Sequence, residues 1–293
     1  MPPSRPRGVL CVGRLYCDLV FGDVPRLPTP GHEVFAGALS LHAGGGALIT
    51  AAHLADLGRA AHLAAFWPVA PFRDTVVGDV ARSGVGHSLC RATTAPDPQI
   101  TVAISGATDR AFLTRRTGPA VPPLSAADLV RLKIGHLHIG ELATLTEAPH
   151  LIELARANGL TVSLDCSWDD GTTAAAAALI AQVDVFFPNI EEAAQLSALG
   201  VITPFAPLTV IKQGSGGAKA VSRDQTLTVP AHSVVVIDTT GAGDAFNAGF
   251  IDRWLAGEPL AQCLAAGNAR GAAAVQHFGG LPPATAVLMG ATL

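Results

Sequence analysis

Residues 238–250 read Asp-Thr-Thr-Gly-Ala-Gly-Asp-Ala-Phe-Asn-Ala-Gly-Phe and carry the densest chemistry in the chain. A β-branched run ends at Asp238, and the turn after it places glycines at 241 and 243 ahead of a helix expected to begin near Asp244. Two glycines let the backbone bend sharply and aim several N–H groups in one direction. Those donors, with the positive end of the helix dipole, make a site for an anion. Three chemistries compete for it. A turn that merely starts a helix needs no ligand. A dinucleotide-binding turn wants Gly-x-Gly-x-x-Gly, but the sixth position here is Phe246, and Asp244 would face a pyrophosphate of like charge. Phosphoryl transfer to a hydroxyl suits the residues best. Asp244 then accepts the hydroxyl proton, while the N–H groups of Gly241, Ala242 and Gly243 stabilise charge on the transferred group. An ordinary Asp is a weak base, which a loose transition state tolerates because charge on the nucleophile develops late.

Other segments offer supporting chemistry. Pro188-Asn189-Ile190-Glu191-Glu192 stands at a predicted strand-to-helix junction, where Asn189 caps the helix and Glu192 completes a capping box. Ile211-Lys212-Gln213-Gly214-Ser215-Gly216-Gly217 reads as a strand running into a glycine-rich loop. No Gly-Lys-Ser/Thr occurs anywhere, so it is not a Walker loop. His136 and His138 would share one face of a strand, but no third ligand is in view and a metal site is not expected.

The elements that must position these residues are legible as alternation. Short apolar runs, among them Gly8–Val12, Leu137–Ile139, Thr161–Asp165, Val185–Phe187 and Thr209–Lys212, are separated by helical patterns such as Ile49–Leu57, Pro149–Asn158, Thr173–Gln182 and Ile190–Leu199. That rhythm predicts a mostly parallel sheet covered by helices. Residues 18–42 and 98–120 break it with extended, turn-punctuated patterns, and Thr101–Ser105 with Ala111–Arg115 read as a hairpin. Neither a repeat nor a low-complexity linker divides the 293 residues, so one domain spanning 1–293 is expected.

Composition excludes several classes. With 49% apolar and 14% charged residues the chain folds, and its net charge of −4 with scattered Lys and Arg offers no footprint for nucleic acid. Five widely spaced cysteines without a Cys-x-x-Cys pair indicate neither a disulfide framework nor a zinc site. No apolar stretch has the form of a leader or a membrane span. A soluble, cytoplasmic protein with reduced thiols and no membrane partner is the expectation.

Taken together, these motifs resemble the ribokinase-like (PfkB) carbohydrate kinases, across roughly Gly8 to Gly280. Asp-Thr-Thr-Gly-Ala-Gly-Asp-Ala-Phe-Asn-Ala-Gly-Phe is very similar to that family's C-terminal signature, whose second Asp is the catalytic base. The resemblance implies a three-layer α/β/α sandwich with a small β-sheet lid, drawn from about 14–42 and 98–120. It implies ATP and Mg²⁺ as cofactors, with K⁺ or a similar ion beside Asp238 and Thr240. Asn189 and Glu192 match an Asn-x-x-Glu motif that organises magnesium through water. Lys212, Gly214 and Gly217 match the loop bordering the nucleotide, and Asn268 matches an Asn on the last adenine-side helix. Asp18, Gly44, Gly45 and Glu141 match positions that hold the acceptor, a sugar or nucleoside-like molecule. One departure stands out: Ile49 occupies a position where most relatives carry an Asn that hydrogen-bonds the acceptor. A catalytically silent ligand-binding member is therefore the alternative to a kinase, with a nicotinamide oxidoreductase behind it. The exposed edge of a lid strand would also suit a homodimer formed lid to lid.

Overall fold

The structure, a computed structural model, describes residues 8–95, 97–106, 110–167, 169 and 171–283. β1 (Gly8–Val12) is buried at all five positions, as a strand covered on both faces must be. The chain leaves it for β2 (Tyr16–Val24) and β3 (Ala38–Gly44), then returns through α1 (Gly46–Asp56) to β4 (Ala61–Ala64). β5 (Phe66–Trp67), α2 (Arg73–Arg82) and β6 (Arg91–Ala92) follow, with β5 and β6 paired in parallel. A second excursion forms β7 (Ile100–Gly106) and β8 (Arg110–Arg115).

The alternation then resumes with α3 (Ala126–Arg131), β9 (Ile134–Ile139), α4 (Leu142–Glu147) and α5 (His150–Ala157). β10 (Thr161–Asp165) leads through a 3₁₀ turn into α6 (Ala177–Ile180), then to β11 (Val185–Phe187), α7 (Ile190–Ala198) and β12 (Leu208–Lys212). β13 (Ala218–Ser222) and β14 (Thr226–Val229) form an antiparallel edge, and α8 (Ala242–Leu255) and α9 (Leu260–Ala274) close the described chain.

The main sheet runs β14-β13-β12-β11-β10-β9-β1-β4, parallel from β4 to β12. Successive residues of β1 serve opposite layers. Val9 and Cys11 pack with Leu48, Phe250 and Leu264 of α1, α8 and α9, whereas Leu10 and Val12 join Leu145, Leu151 and Leu196 of α4, α5 and α7. The expected three-layer sandwich follows from this division.

The two irregular segments make a separate sheet, β3-β2-β7-β8. Its pairing sets Asp18 beside His42 and Thr101, with Val20 flanked by Ser40 and Ala103 on the same face. Leu41, Leu19, Val102 and Leu113 form a row on the opposite face, where Leu113 is 74% exposed.

One local expectation fails, and one strongly β-prone run stays irregular. The helix expected over 173–182 shrinks to one 3₁₀ turn and α6, because Thr173 gives no side-chain cap and only four residues complete α-helical turns. The β-branched run 234–237 forms no strand. Its Ile237 N–H, and the Asp238 N–H after it, donate to the Val275 carbonyl at 2.7 and 3.1 Å, and Val235 is 79% exposed. Among the described residues no strand pairs with this run, so its β propensity is overruled. Among the described residues no helix is long and apolar enough to cross a membrane.

Candidate active site

Gly241, the N-cap of α8, sits at φ 70°, in the left-handed region. A Cβ there would lie 2.6 Å from the Gly280 Cα, so both conformation and space call for glycine. Asp238 fastens the turn. Its Oδ1 accepts from the Thr240 N–H at 2.9 Å and the Thr240 hydroxyl at 2.7 Å, and its Oδ2 accepts from the Gly279 N–H at 2.8 Å. The Ala242 N–H turns back to the Thr239 carbonyl at 3.3 Å, so this one of the three expected anion-hole amides is partly engaged within the turn. The Gly243 N–H lies in the first helical turn, where helix geometry provides no internal acceptor.

Asp244 projects from that first turn toward the start of α1. A Cβ on Gly46 would come within 2.7 Å of its Oδ1, which explains a glycine opposite the carboxyl. Thr50 donates its hydroxyl to the Asp244 carbonyl at 3.2 Å and ties the two helices together. By surface area the residue is half-buried, but its carboxyl is enclosed by protein. Burial lifts that carboxyl well above the ordinary range, and the adjoining, hydrogen-bonded Asp165 carboxylate lifts it further, against the pull of Lys212.

Asp165, at the C-terminal end of β10, was not anticipated from the sequence. Its Oδ1 accepts from Lys212 Nζ at 2.7 Å and from the Cys166 N–H at 2.8 Å, and its Oδ2 accepts from Asn247 Nδ2 at 2.7 Å. Three donors, one of them cationic, thus converge on Asp165. Lys212, expected at the nucleotide loop, ends β12 with its ammonium on Asp165 and next to Gly243, whose Cβ would fall 3.2 Å from Nζ. Burial draws the ammonium pKa down, but Asp165 and Glu192 outweigh it and the net shift is upward. The signal in the sequence was positional. Asp165 and Lys212 both end parallel strands, where open α/β sheets gather their ligands.

Asn189 and Glu192 form the expected capping box: Glu192 N–H to Asn189 Oδ1 at 2.8 Å, and Asn189 N–H to Glu192 Oε2 at 2.7 Å. Glu192 is buried, and its charge is felt at both Lys212 and Asp244. Among the described residues no three His, Cys, Asp or Glu converge as a metal cage. The histidines of β9 are spent on hydrogen bonds instead. His136 bonds Thr161 and Ser163 at 2.8 Å each, and His138 bonds Ser163 through Nδ1 at 2.9 Å, its Nε2 being buried without a hydrogen-bond partner among the described residues.

A cavity of about 410 Å³ opens on the far side of the turn, lined by Lys212, Gly214, Gly217, Ala242, Gly243 and Asn268 among others. The expected nucleotide-side residues are thus brought together. Asn268 spends its amide hydrogens on the Val229 and Pro230 carbonyls at 2.9 and 3.1 Å, so it fixes the cavity wall.

On the other side of Asp244 stand the expected acceptor residues. Asp18 lies against Gly44, where any Cβ would meet its carboxylate at 2.0 Å. Burial pushes the Asp18 carboxyl up to about 7, with a hydrogen bond from Thr101 working against it. Gly45, at φ 110°, passes so close to Arg14 that a Cβ would sit 2.3 Å from the Arg14 carbonyl oxygen. Glu141 accepts from the Thr144 hydroxyl at 2.8 Å, lies 3.8 Å from Arg14, and is raised chiefly by burial. Ile49 is buried and turns beneath Gly241 and Gly280. A second cavity of about 660 Å³ runs along the same lid face past Val20, Ser40 and His42 to Asp238 and Thr240.

Comparison with known proteins bears on the family and the fold. An uncharacterized sugar kinase of Archaeoglobus fulgidus is 34% identical over 114 residues, covering 36% of this chain and 46% of that protein. An ATP-dependent ribose-1-phosphate kinase of Halopiger xanaduensis is 33% identical over 162 residues, covering 54% of each. The matches thus span about half the length of these curated relatives. The crystal structure of the nucleoside kinase of Methanocaldococcus jannaschii, an archaeal member of the ribokinase family, superposes with a TM-score of 0.79 at 20% identity, covering 94% of this chain and 95% of that one. That likeness establishes the fold. The model of the pfkB family carbohydrate kinases matches residues 7–286, and the chain belongs to that family.

Proposed function

We propose that this protein transfers the γ-phosphoryl group of ATP to a hydroxyl of a sugar or nucleoside-like molecule. One observation carries the proposal. The raised carboxyl of Asp244 stands between an amide-lined turn beside a nucleotide-sized cavity and the lid face bearing Asp18. A carboxylate of raised pKa is a stronger base than an ordinary Asp, which suits removal of an alcohol proton. Asp165 supplies part of that shift, and Lys212 keeps the ionised pair from becoming prohibitive. The amides of Gly241 and Gly243, with the α8 N-terminus, face the charge that develops on the transferred group, and Ala242 contributes to the extent that its N–H releases Thr239. Asp18 and Glu141 orient the acceptor through its hydroxyls, with Gly44 and Gly45 allowing close approach.

ATP supplies the phosphoryl group from the cavity bordered by Lys212, Gly214, Gly217 and Asn268. Mg²⁺ fits as an ion held mostly by phosphates and water, because Glu192 and Asn189 satisfy each other and leave Glu192 in an outer-shell position. K⁺ beside Asp238 and Thr240 is part of the same proposal. The apolar row Leu41, Leu19, Val102 and Leu113 supports pairing of two lids across a twofold axis. Five buried free thiols fit a reducing, cytoplasmic setting.

The test is product formation by purified protein with ATP, Mg²⁺ and a panel of sugars and nucleosides, read by phosphorus NMR. A phosphate ester on at least one acceptor is expected. Tight ATP and acceptor binding with no ester across the panel would favour a silent binding protein instead.

A further inference from the structure

Ile49 and His53 lie one helical turn apart on α1, and both meet the same backbone. The Ile49 methyls pack where a Cβ on Gly280 would stand, 2.6 Å away, and 3.1 Å from the corresponding point on Gly241. His53 is buried, and its Nε2 is 3.0 Å from the Gly280 carbonyl oxygen. Its Nδ1 receives the Arg270 Nε–H at 2.8 Å, while Arg270 also binds Asp56. A guanidinium can only donate, so Nδ1 carries no proton and the neutral ring must donate from Nε2 to Gly280. Burial and Arg270 together bring the imidazole pKa down to about 4 in agreement.

Gly280 in turn touches the turn that gathers the phosphoryl group, since a Cβ on Gly241 would fall 2.6 Å from its Cα. Gly279, its neighbour, donates to Asp238 at the other end of that turn. The strip 279–280 is therefore clamped on one side by α1 and on the other by residues 238–241.

From this we infer that Ile49 and His53, locked in one tautomer by Arg270, are positioning residues that seat the phosphoryl-binding turn through Gly280. Ile49 then acts on the phosphoryl side of the site, not on the acceptor. The inference rests on the kinase reading and assigns it a support that lies outside the motif. Misplacing a stabilising group by about 1 Å can cost on the order of a hundredfold in rate, so the consequence is measurable.

The experiment compares wild type with Ile49→Ala, His53→Ala and His53→Gln in steady-state phosphorylation, and measures AMP-PNP and ADP affinities by calorimetry. In both alanine variants kcat should fall at least about tenfold while the acceptor KM stays within about twofold. His53→Gln, which restores an N–H near the Nε2 position, should recover to within about threefold of wild type. Unchanged kcat in the alanine variants overturns the inference, as does a raised acceptor KM with kcat intact. Should wild type phosphorylate nothing, the kinase reading fails separately, and the ratio of AMP-PNP to ADP affinity decides the seat. A fall of at least about fivefold in His53→Ala supports it and an unchanged ratio overturns it. If His53→Ala does not fold, Arg270→Met is used with nitrogen NMR of the imidazoles. Loss of the single Nε2–H tautomer together with lower kcat is expected, and a retained tautomer or unchanged kcat overturns the inference.

Discussion

The two sides of Asp244 are held by different means. On the proposed phosphoryl side, the turn is clasped by Asp238, Thr240 and Gly279, and Lys212, Asp165 and Asn247 form a polar cluster. On the acceptor side, Asp18 and Glu141 are carboxylates brought in by the lid and by the end of β9, each raised mainly by burial. The contrast separates two tasks. Groups that must be aimed at a transition state are fixed by one another before any ligand arrives. The buried carboxylates of Asp18 and Glu141 each hold a hydrogen bond from a threonine, and their remaining acceptor capacity is open to the hydroxyls of the proposed ligand.

Breaking the phosphoryl side should have the largest effect. Lys212→Met leaves Asp165 uncompensated beside Asp244, and kcat should fall about 10²–10³-fold. Because Lys212 lowers the Asp244 pKa, its loss raises that pKa further, and the acid limb of the pH–rate profile moves to higher pH. An unshifted profile would mean that the cluster does not set the base.

A smaller loss, with the opposite kinetic signature, belongs to the acceptor side. Asp18→Asn should raise the acceptor KM about 10–100-fold, since hydrogen bonds to a charged group contribute about 1.5–3 kcal/mol each, with kcat nearly preserved. A variant losing kcat alone would place Asp18 on the phosphoryl side.

Stability against pH sharpens the same comparison. The ordinary Asp18 value is 3.8 and the folded value is about 7, so between them the folded chain holds a proton that the unfolded chain has released. This contribution is fully present below pH 3.8 and is lost as pH rises toward 7. Asp18→Asn removes that slope, so thermal melts of the variant relative to wild type should gain stability across this window. A constant difference would show that Asp18 is not desolvated.

The smallest expected effect concerns Asp238 and Thr240. Replacing K⁺ by tetramethylammonium should lower activity about two- to tenfold if an ion settles beside the turn. No change would confine these residues to fastening it.

How much could be read in advance follows the same division. The Asp238–Phe250 motif is local, so glycines, base and helix start lie within one turn and were legible. The capping box of Asn189 and Glu192 was legible for the same reason. Asp165 escaped because its importance comes from strand order, which sets β10 and β12 on either side of β11 and lets Lys212 reach across. From the sequence alone, Ile49 stands as a gap in acceptor binding. Its packing under Gly280 depends on a contact 231 residues away in sequence, beyond any local pattern. The β-branched run 234–237 shows the converse: strong local propensity, with no strand paired to it among the described residues.

Asp244 is proposed to take the proton from the attacking hydroxyl. Single-turnover transfer from γ-labelled ATP, with the best acceptor found, tests it in wild type and Asp244→Asn under saturating ligands. A chemical step about 10²–10⁴-fold slower in the variant is expected, with ATP and acceptor affinities little changed. Transfer at the wild-type rate by correctly folded Asp244→Asn would contradict it.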